Sequence, residues 1–199
     1  MKIPLNEYQE IALERLNPSI VNNKKESMKY CCMGLLEESG EIAAEIRKPL
    51  FKGNYHEKLL NKEAITSELG DIIWYMALVC KNNNIDITNL EKEMDLNEGN
   101  EKREKLINQS IKIGRTSGKI VHRYFEFSKG KMKKEKLEEV LKKQYKNIVK
   151  LANELNITID EILQINLEKV NSRYKEMVKL NRLESRLLWK KEIKKLIII

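Results

Sequence analysis

The chain has 199 residues, 34% charged and only 6% aromatic, with eight Gly and three Pro; this is long enough for one domain with a sizeable core, and its Lys, Glu, Leu and Ile content favours helices. No apolar run approaches the roughly 20 residues that span a bilayer, no charged-then-apolar export signal opens the chain, and Cys31, Cys32 and Cys80 form no CxxC pair, so a cytoplasmic protein with inert thiols is expected rather than a disulfide or zinc framework. The net charge of +8 is uneven: residues 1–100 carry 12 Lys+Arg against 17 Asp+Glu (−5) and the remainder 26 against 13 (+13), an acidic half suited to metal and a basic half suited to anions.

Asn6 reads as the cap of a first helix, with Tyr8, Ile11, Ala12 and Leu16 at helical spacing and Pro18 ending it. Residues 22–26 are polar and read as a loop. The second helix is predicted over about 29–48, with Pro49 closing it. Leu35, Ile42 and Ile46 share one of its faces. Glu38 and Glu41 stand side by side one turn apart. Glu37, Glu41 and Glu45 form a row of like charges at spacing four, each pair costing a helix about 0.2–0.5 kcal/mol. Two readings of that row stand: an unusually acidic surface, or a cation site that relieves the repulsion.

Residues 49–57 read as a loop that holds an exposed His56 between two carboxylate helices. The third helix is predicted over about 59–81. It carries Glu68 and Asp71, again three apart, and then Ile72-Ile-Trp-Tyr-Met-Ala-Leu-Val-Cys80, apolar on every face. That helix is expected to be buried, with Asp71 partly desolvated at its mouth, and buried carboxylates are paired or bound to metal. Four carboxylates from two helices suit a hard cation such as Mg²⁺, whose sparse sites are completed by water and substrate phosphates. Residues 82–84 read as a turn and 95–100 as a linker.

The second half repeats the first in faded form. Ser117-Gly-Lys-Ile120 follows Ser39-Gly-Glu-Ile42, Asn156-Ile-Thr-Ile159 follows Asn84-Ile-Asp-Ile87, and Asn166-Leu-Glu-Lys169 follows Asn89-Leu-Glu-Lys92. On that alignment Glu37, Glu38, Glu41, Glu68 and Asp71 become Arg115, Thr116, Lys119, Val140 and Lys143. The repeat predicts an internally duplicated pseudo-dimer; a simple insertion before the last helix is the rival explanation. The organisation read from the chain is a carboxylate-bearing helical half (1–94), a basic helical half (101–180) and a tail (181–199) in one compact domain.

Glu-Glu-x-x-Glu at Glu37, Glu38 and Glu41, followed after 26 residues by Glu-x-x-Asp at Glu68 and Asp71, resembles the signature of the MazG-like nucleotide pyrophosphohydrolases. These belong to the all-α NTP pyrophosphatase superfamily, alongside the dimeric dUTPases. Gly34-Leu-Leu-Glu-Glu-Ser-Gly-Glu, Glu68-Leu-Gly-Asp-Ile-Ile-Trp-Tyr and Asn166-Leu-Glu-Lys-Val-Asn-Ser-Arg-Tyr174 fit as well, and Asn6-Glu-Tyr-Gln is similar to the family's opening helix. The likeness covers about the first 90 residues and returns near 147–174.

The resemblance implies an all-α helical bundle that hydrolyses nucleoside triphosphates (NTP or dNTP) to the monophosphate and pyrophosphate. It implies Mg²⁺, with Mn²⁺ as a substitute, held by Glu38, Glu41, Glu68 and Asp71. Glu37 is a further ligand or the group that orients the attacking water. Tyr75, one turn beyond Asp71, is placed to meet sugar or base, with Trp74 expected to point elsewhere into the core. Asn166, Lys169 and Arg173 match the family's last motif and would reach phosphate oxygens. A homodimer is implied, with no membrane and no nucleic acid as partners. Two other readings are a dUTP- or dCTP-specific pyrophosphatase and a catalytically idle basic helical protein that binds nucleic acid.

Overall fold

A computed structural model describes residues 3–16, 20, 22–51, 60–91 and 102–175. They form α1 (Leu5–Glu14), α2 (Lys24–Phe51), α3 (Lys62–Asn82), a 3-10 turn (Ile87–Glu91), α4 (Lys102–Ser128) and α5 (Lys134–Glu154). A last helix, α6, occupies 159–175. The fold is all-α, with no strand among the described residues. The loop with His56, the 95–100 linker and the 181–199 tail lie outside the described residues.

Four boundaries differ from the sequence reading. The first helix begins at Leu5 behind Pro4, so Asn6 lies inside its first turn rather than capping it. The second begins at Lys24, because the Asn23 side chain accepts from the Glu26 amide 3.2 Å away and starts the helix where a loop was expected. Pro49 lies within that helix, which runs on to Phe51. The proline lacks only its own donor and follows the chain without ending it at once. The third begins at Lys62, with Asn61 accepting from the Ala64 amide at 3.1 Å.

α2 and α3 form one antiparallel hairpin, α4 and α5 another, and α2 packs along α4. The two hairpins match closely. α2 and α4 are 28 and 27 residues long, and α3 and α5 are 21 each. Met28, Cys31, Cys32, Leu35, Glu38, Ser39, Ile42 and Ile46 make the buried stripe of α2. Leu106, Gln109, Ser110, Ile113, Thr116, Ser117, Ile120 and Tyr124 repeat it position for position on α4.

The ends match too. Asn84 and Asn156 follow the second helix of each hairpin with φ of 54° and 55°, the left-handed conformation that Asn tolerates best after Gly. The next amide reaches back in each case, Ile85 to the Cys80 carbonyl and Ile157 to the Ala152 carbonyl, both at 2.9 Å.

Residues at matching positions of the two hairpins also meet where α2 crosses α4. Ser39 donates to the Leu35 carbonyl at 2.5 Å, so its oxygen accepts from Ser117 at 2.6 Å, and Ser117 in turn accepts from Gln144 at 2.9 Å. Lys62, at the start of α3, donates to the Leu155 carbonyl, while Lys134, at the start of α5, donates to the Asn84 carbonyl, each at 2.9 Å. One apolar core runs through both hairpins.

α3 is the centre of the molecule, and residues 72–80 are all buried. One of its faces packs on α2, and α1 and α6 cover another. Gln9 of α1 donates to the Ala77 carbonyl at 2.8 Å, and the Tyr8 hydroxyl lies 3.4 Å from the Gly70 carbonyl. α6 lies close against Gly70, where a Cβ would lie 2.7 Å from that of Asn166. Glycine at this position is what allows α6 to settle there.

Candidate active site

The carboxylates expected from the sequence converge where α2 and α3 run side by side. Oxygen atoms of Glu38, Glu41 and Glu68 lie within 4.8 Å of one another. Glu38 belongs to the buried stripe of α2 and is only 9% exposed, whereas Glu41 is exposed. Glu37, one residue earlier, is exposed and stands outside this trio.

The trio is under electrostatic strain. Burial, a hydrogen bond with Glu68, and the charges of Asp71, Glu68 and Glu41 push the Glu38 carboxyl up to about 8. Without a counter-ion, Glu38 therefore holds a proton at neutral pH. Three hard oxygen donors from two adjacent helices fit a divalent cation, which would relieve this repulsion and release that proton.

Asp71 faces the trio, but its oxygens are engaged. Asn166 donates to one at 2.6 Å, and Lys169 makes a very short ion pair with the other. Lys169 also donates to Ser67 at 2.8 Å and lies 4.0 Å from Glu68. The Asn166 oxygen accepts from Tyr8 at 2.6 Å, so this fully buried amide has a partner at each end. The Tyr8 phenol is pushed upward by burial and then by the Asp71 charge, so it stays neutral and donates. Asn166 and Lys169 thus hold Asp71, rather than standing free for a ligand. Tyr8 is the residue of this network that sequence reasoning missed: it was read only as part of the buried face of the first helix and of Asn6-Glu-Tyr-Gln.

Asp71 also borders a cavity of about 180 Å³ lined by Tyr30, Trp74, Tyr75, Arg173 and Tyr174, with Arg15 at its side. Tyr75 and Arg173 are therefore at the site. Trp74, expected to point away, lines the same cavity. It lies three residues after Asp71 and so on the same side of α3.

Tyr30, Trp74 and Tyr75 meet edge to face with ring centroids 5.1–6.1 Å apart. The Trp74 indole N–H is buried without a hydrogen-bond partner among the described residues, a donor waiting for an acceptor. Gly34 makes room for the Tyr75 ring, since a Cβ there would clash with it. Arg15 stacks on Tyr174 at 4.9 Å and donates to Asn171 at 3.0 Å, tying α1 to α6 across the cavity mouth. The cysteines take no part: all three are buried, and burial raises their thiols, Cys32 to about 11 and Cys80 to about 12.

Residues 26–103 match the model of the MazG nucleotide pyrophosphohydrolase domain. This stretch of the chain is similar to a MazG domain. The match contains all five carboxylates and the aromatic pair Trp74–Tyr75, and it stops at the start of α4, short of Asn166, Lys169 and Arg173. A 62-residue stretch is 36% identical to the Gene 37 protein of Mycobacterium phage L5; it covers 31% of this chain and 53% of that relative, so the chain spans about half of the relative's length. No solved structure matches the chain.

Proposed function

We propose that the protein hydrolyses nucleoside triphosphates to the monophosphate and pyrophosphate, using Mg²⁺ or Mn²⁺ bound by Glu38, Glu41 and Glu68. The observation that carries this reading is the convergence of those three carboxylates within 4.8 Å beside an aromatic cavity that reaches Asp71. The MazG-like match supplies the class of chemistry. A carboxylate trio alone would bind a cation without implying any substrate. The adjoining cavity adds a place for a nucleoside.

The cation, when bound, neutralises the triphosphate and acidifies a coordinated water. Glu38, Glu41 and Glu68 hold it. Asp71 completes the acidic wall, positioned by Asn166 and Lys169 at the fixed distance a ligand or water-binding group needs. Glu37, exposed and outside the trio, orients the attacking water. The Tyr30–Trp74–Tyr75 wall stacks the base or sugar, and the unpartnered Trp74 N–H offers a donor to a base carbonyl. Arg173, exposed beside the cavity, meets phosphate oxygens.

The enzyme would act in the cytoplasm; among the described residues no helix is long and apolar enough to cross a membrane. It would act as a homodimer, or as a single chain in which the second hairpin takes the place of a partner. The test is pyrophosphate release from a panel of NTPs and dNTPs, with Mg²⁺ or with EDTA. Turnover that needs the metal and vanishes in Glu41→Gln establishes the reading, and the preferred substrate shows whether dUTP or dCTP is singled out. A well-folded protein that turns over no nucleotide overturns it.

A further inference from the structure

We propose that the second hairpin carries a separate anion site, a cleft between α4 and α5 that binds a compact polyphosphate: inorganic pyrophosphate or the phosphate chain of a nucleotide. The cleft encloses about 320 Å³ and is lined by Lys119 and Arg123 of α4 and by Lys136, Glu139, Val140 and Lys143 of α5. Its place in the fold is informative. The buried stripes put α4 in register with α2, and α5 with α3. In that register Lys119, Arg123 and Lys143 stand where the first hairpin has Glu41, Glu45 and Asp71. Three carboxylate positions have become three cations, on the same pair of helix faces, and all three line one cleft.

The local partners leave this charge largely uncompensated. Lys136 pairs with Glu139 at 3.0 Å. Among the described residues, the hydrogen-bond acceptor that Arg123 reaches is the weak one, Sδ of Met132, at 3.5 Å. Lys119 and Lys143 make no hydrogen bond or ion pair among the described residues. The single carboxylate, Glu139, is held below its usual range first by its bond to Lys136 and its charge, then by the charges of Arg123 and Lys143. Three cations converging on one cleft repel one another, and a multivalent anion removes that repulsion. Linked phosphates suit the donor set: a planar guanidinium for two oxygens at once and two ammonium groups as point charges. The site stands whether or not the carboxylates of the first hairpin catalyse.

The experiment is isothermal titration calorimetry on the full chain in EDTA, where the carboxylate site without metal repels anions. Pyrophosphate and a nucleoside triphosphate are titrated separately, into wild type and into the double variant Lys119→Gln, Lys143→Gln. Binding by wild type that weakens at least about tenfold in the double variant is the expected result. Equal affinity for the two ligands marks a site that reads phosphates alone; tighter nucleotide binding marks one that also reads the nucleoside. The control is Lys24→Gln with Lys25→Gln, two exposed lysines on α2 that remove the same charge elsewhere. Equal weakening in this control, or no binding by wild type, overturns the proposal. So does a single-stranded oligonucleotide that outcompetes pyrophosphate and loses affinity in the same double variant, since the cleft would then be part of a nucleic-acid surface.

Discussion

The two hairpins differ most where their second helices face outward. α3 and α5 are 21 residues each, and every position buried on α5 is buried on α3. α3 buries five more: Thr66, Gly70, Asp71, Trp74 and Leu78. Their counterparts on α5 are Glu138, Lys142, Lys143, Lys146 and Lys150, all charged. The five form one face of α3, the face that α1 and α6 cover. Similar backbones thus give a buried helix in one hairpin and an amphipathic one in the other, and the covering helices account for the difference. The covered face is also the one that holds a carboxylate next to a cavity. The charged group there, Asp71, is taken out of water and given partners in Asn166 and Lys169.

That comparison can be broken most sharply at the trio. Glu41→Gln removes one of the three carboxylates proposed to hold the cation, and nucleotide turnover in Mg²⁺ should fall to background while the helical circular dichroism is unchanged. Retained turnover would mean that the convergence of carboxylates is incidental.

A second test asks whether the cover on α3 is tight. Gly70→Ala pushes a methyl group into Asn166 and should destabilise the fold by about 1–3 kcal/mol in denaturant unfolding. At the matching position of α5, Lys142→Ala should stay within about 0.5 kcal/mol of wild type. Equal effects would show that α6 does not hold α3 as described.

A third uses pH. The Glu38 carboxyl, raised to about 8 in the fold, favours the folded state when protonated. Its contribution is complete below the usual carboxylate range near pH 4.5 and is lost as the pH rises through 8. In EDTA the melting temperature should therefore fall across that window; Glu38→Gln should flatten the fall and saturating Mg²⁺ should reverse it. A melting temperature that climbs instead over the same range would contradict the assignment.

The smallest effects should be those the hairpins share. Asn84→Ala and Asn156→Ala each force alanine into a left-handed conformation and should each cost about 1 kcal/mol, while the glycine variants stay near neutral. Unequal costs in thermal melts would break the likeness between the two turns.

Local patterns in the sequence accounted for much of this. The apolar run after Asp71 announced a helix buried all round, and the three-residue spacing of Glu38 and Glu41 set them on one side of α2. The short likeness between Ser39-Gly-Glu-Ile42 and Ser117-Gly-Lys-Ile120 turned out to mark the crossing where the two serines touch. What periodicity did not carry was contact between distant segments. Nothing near Asp71 says that Asn166 and Lys169 will hold it, because that depends on how closely α6 approaches Gly70. Trp74 is buried in the core as expected, but its place on the cavity wall was not legible for a related reason: a helix buried on every side gives no contrast by which to tell a core face from a cavity wall. Pro49 misled at the helix end, since a proline removes its own bond to the carbonyl four residues back but leaves the next two residues able to stay helical.

The tie between Asp71 and α6 also bears on how the protein is made. A chain emerging from the ribosome presents its N-terminal segments first. α2 and α3 can pair as soon as they are out, but Asn166 and Lys169 follow Asp71 by 95 and 98 residues. Until they arrive, Asp71 faces its carboxylate neighbours with no cation or amide to steady it. The acidic pocket is therefore among the last parts of the molecule to be finished, and a nascent or truncated chain ending before α6 would carry the whole carboxylate signature without a completed site.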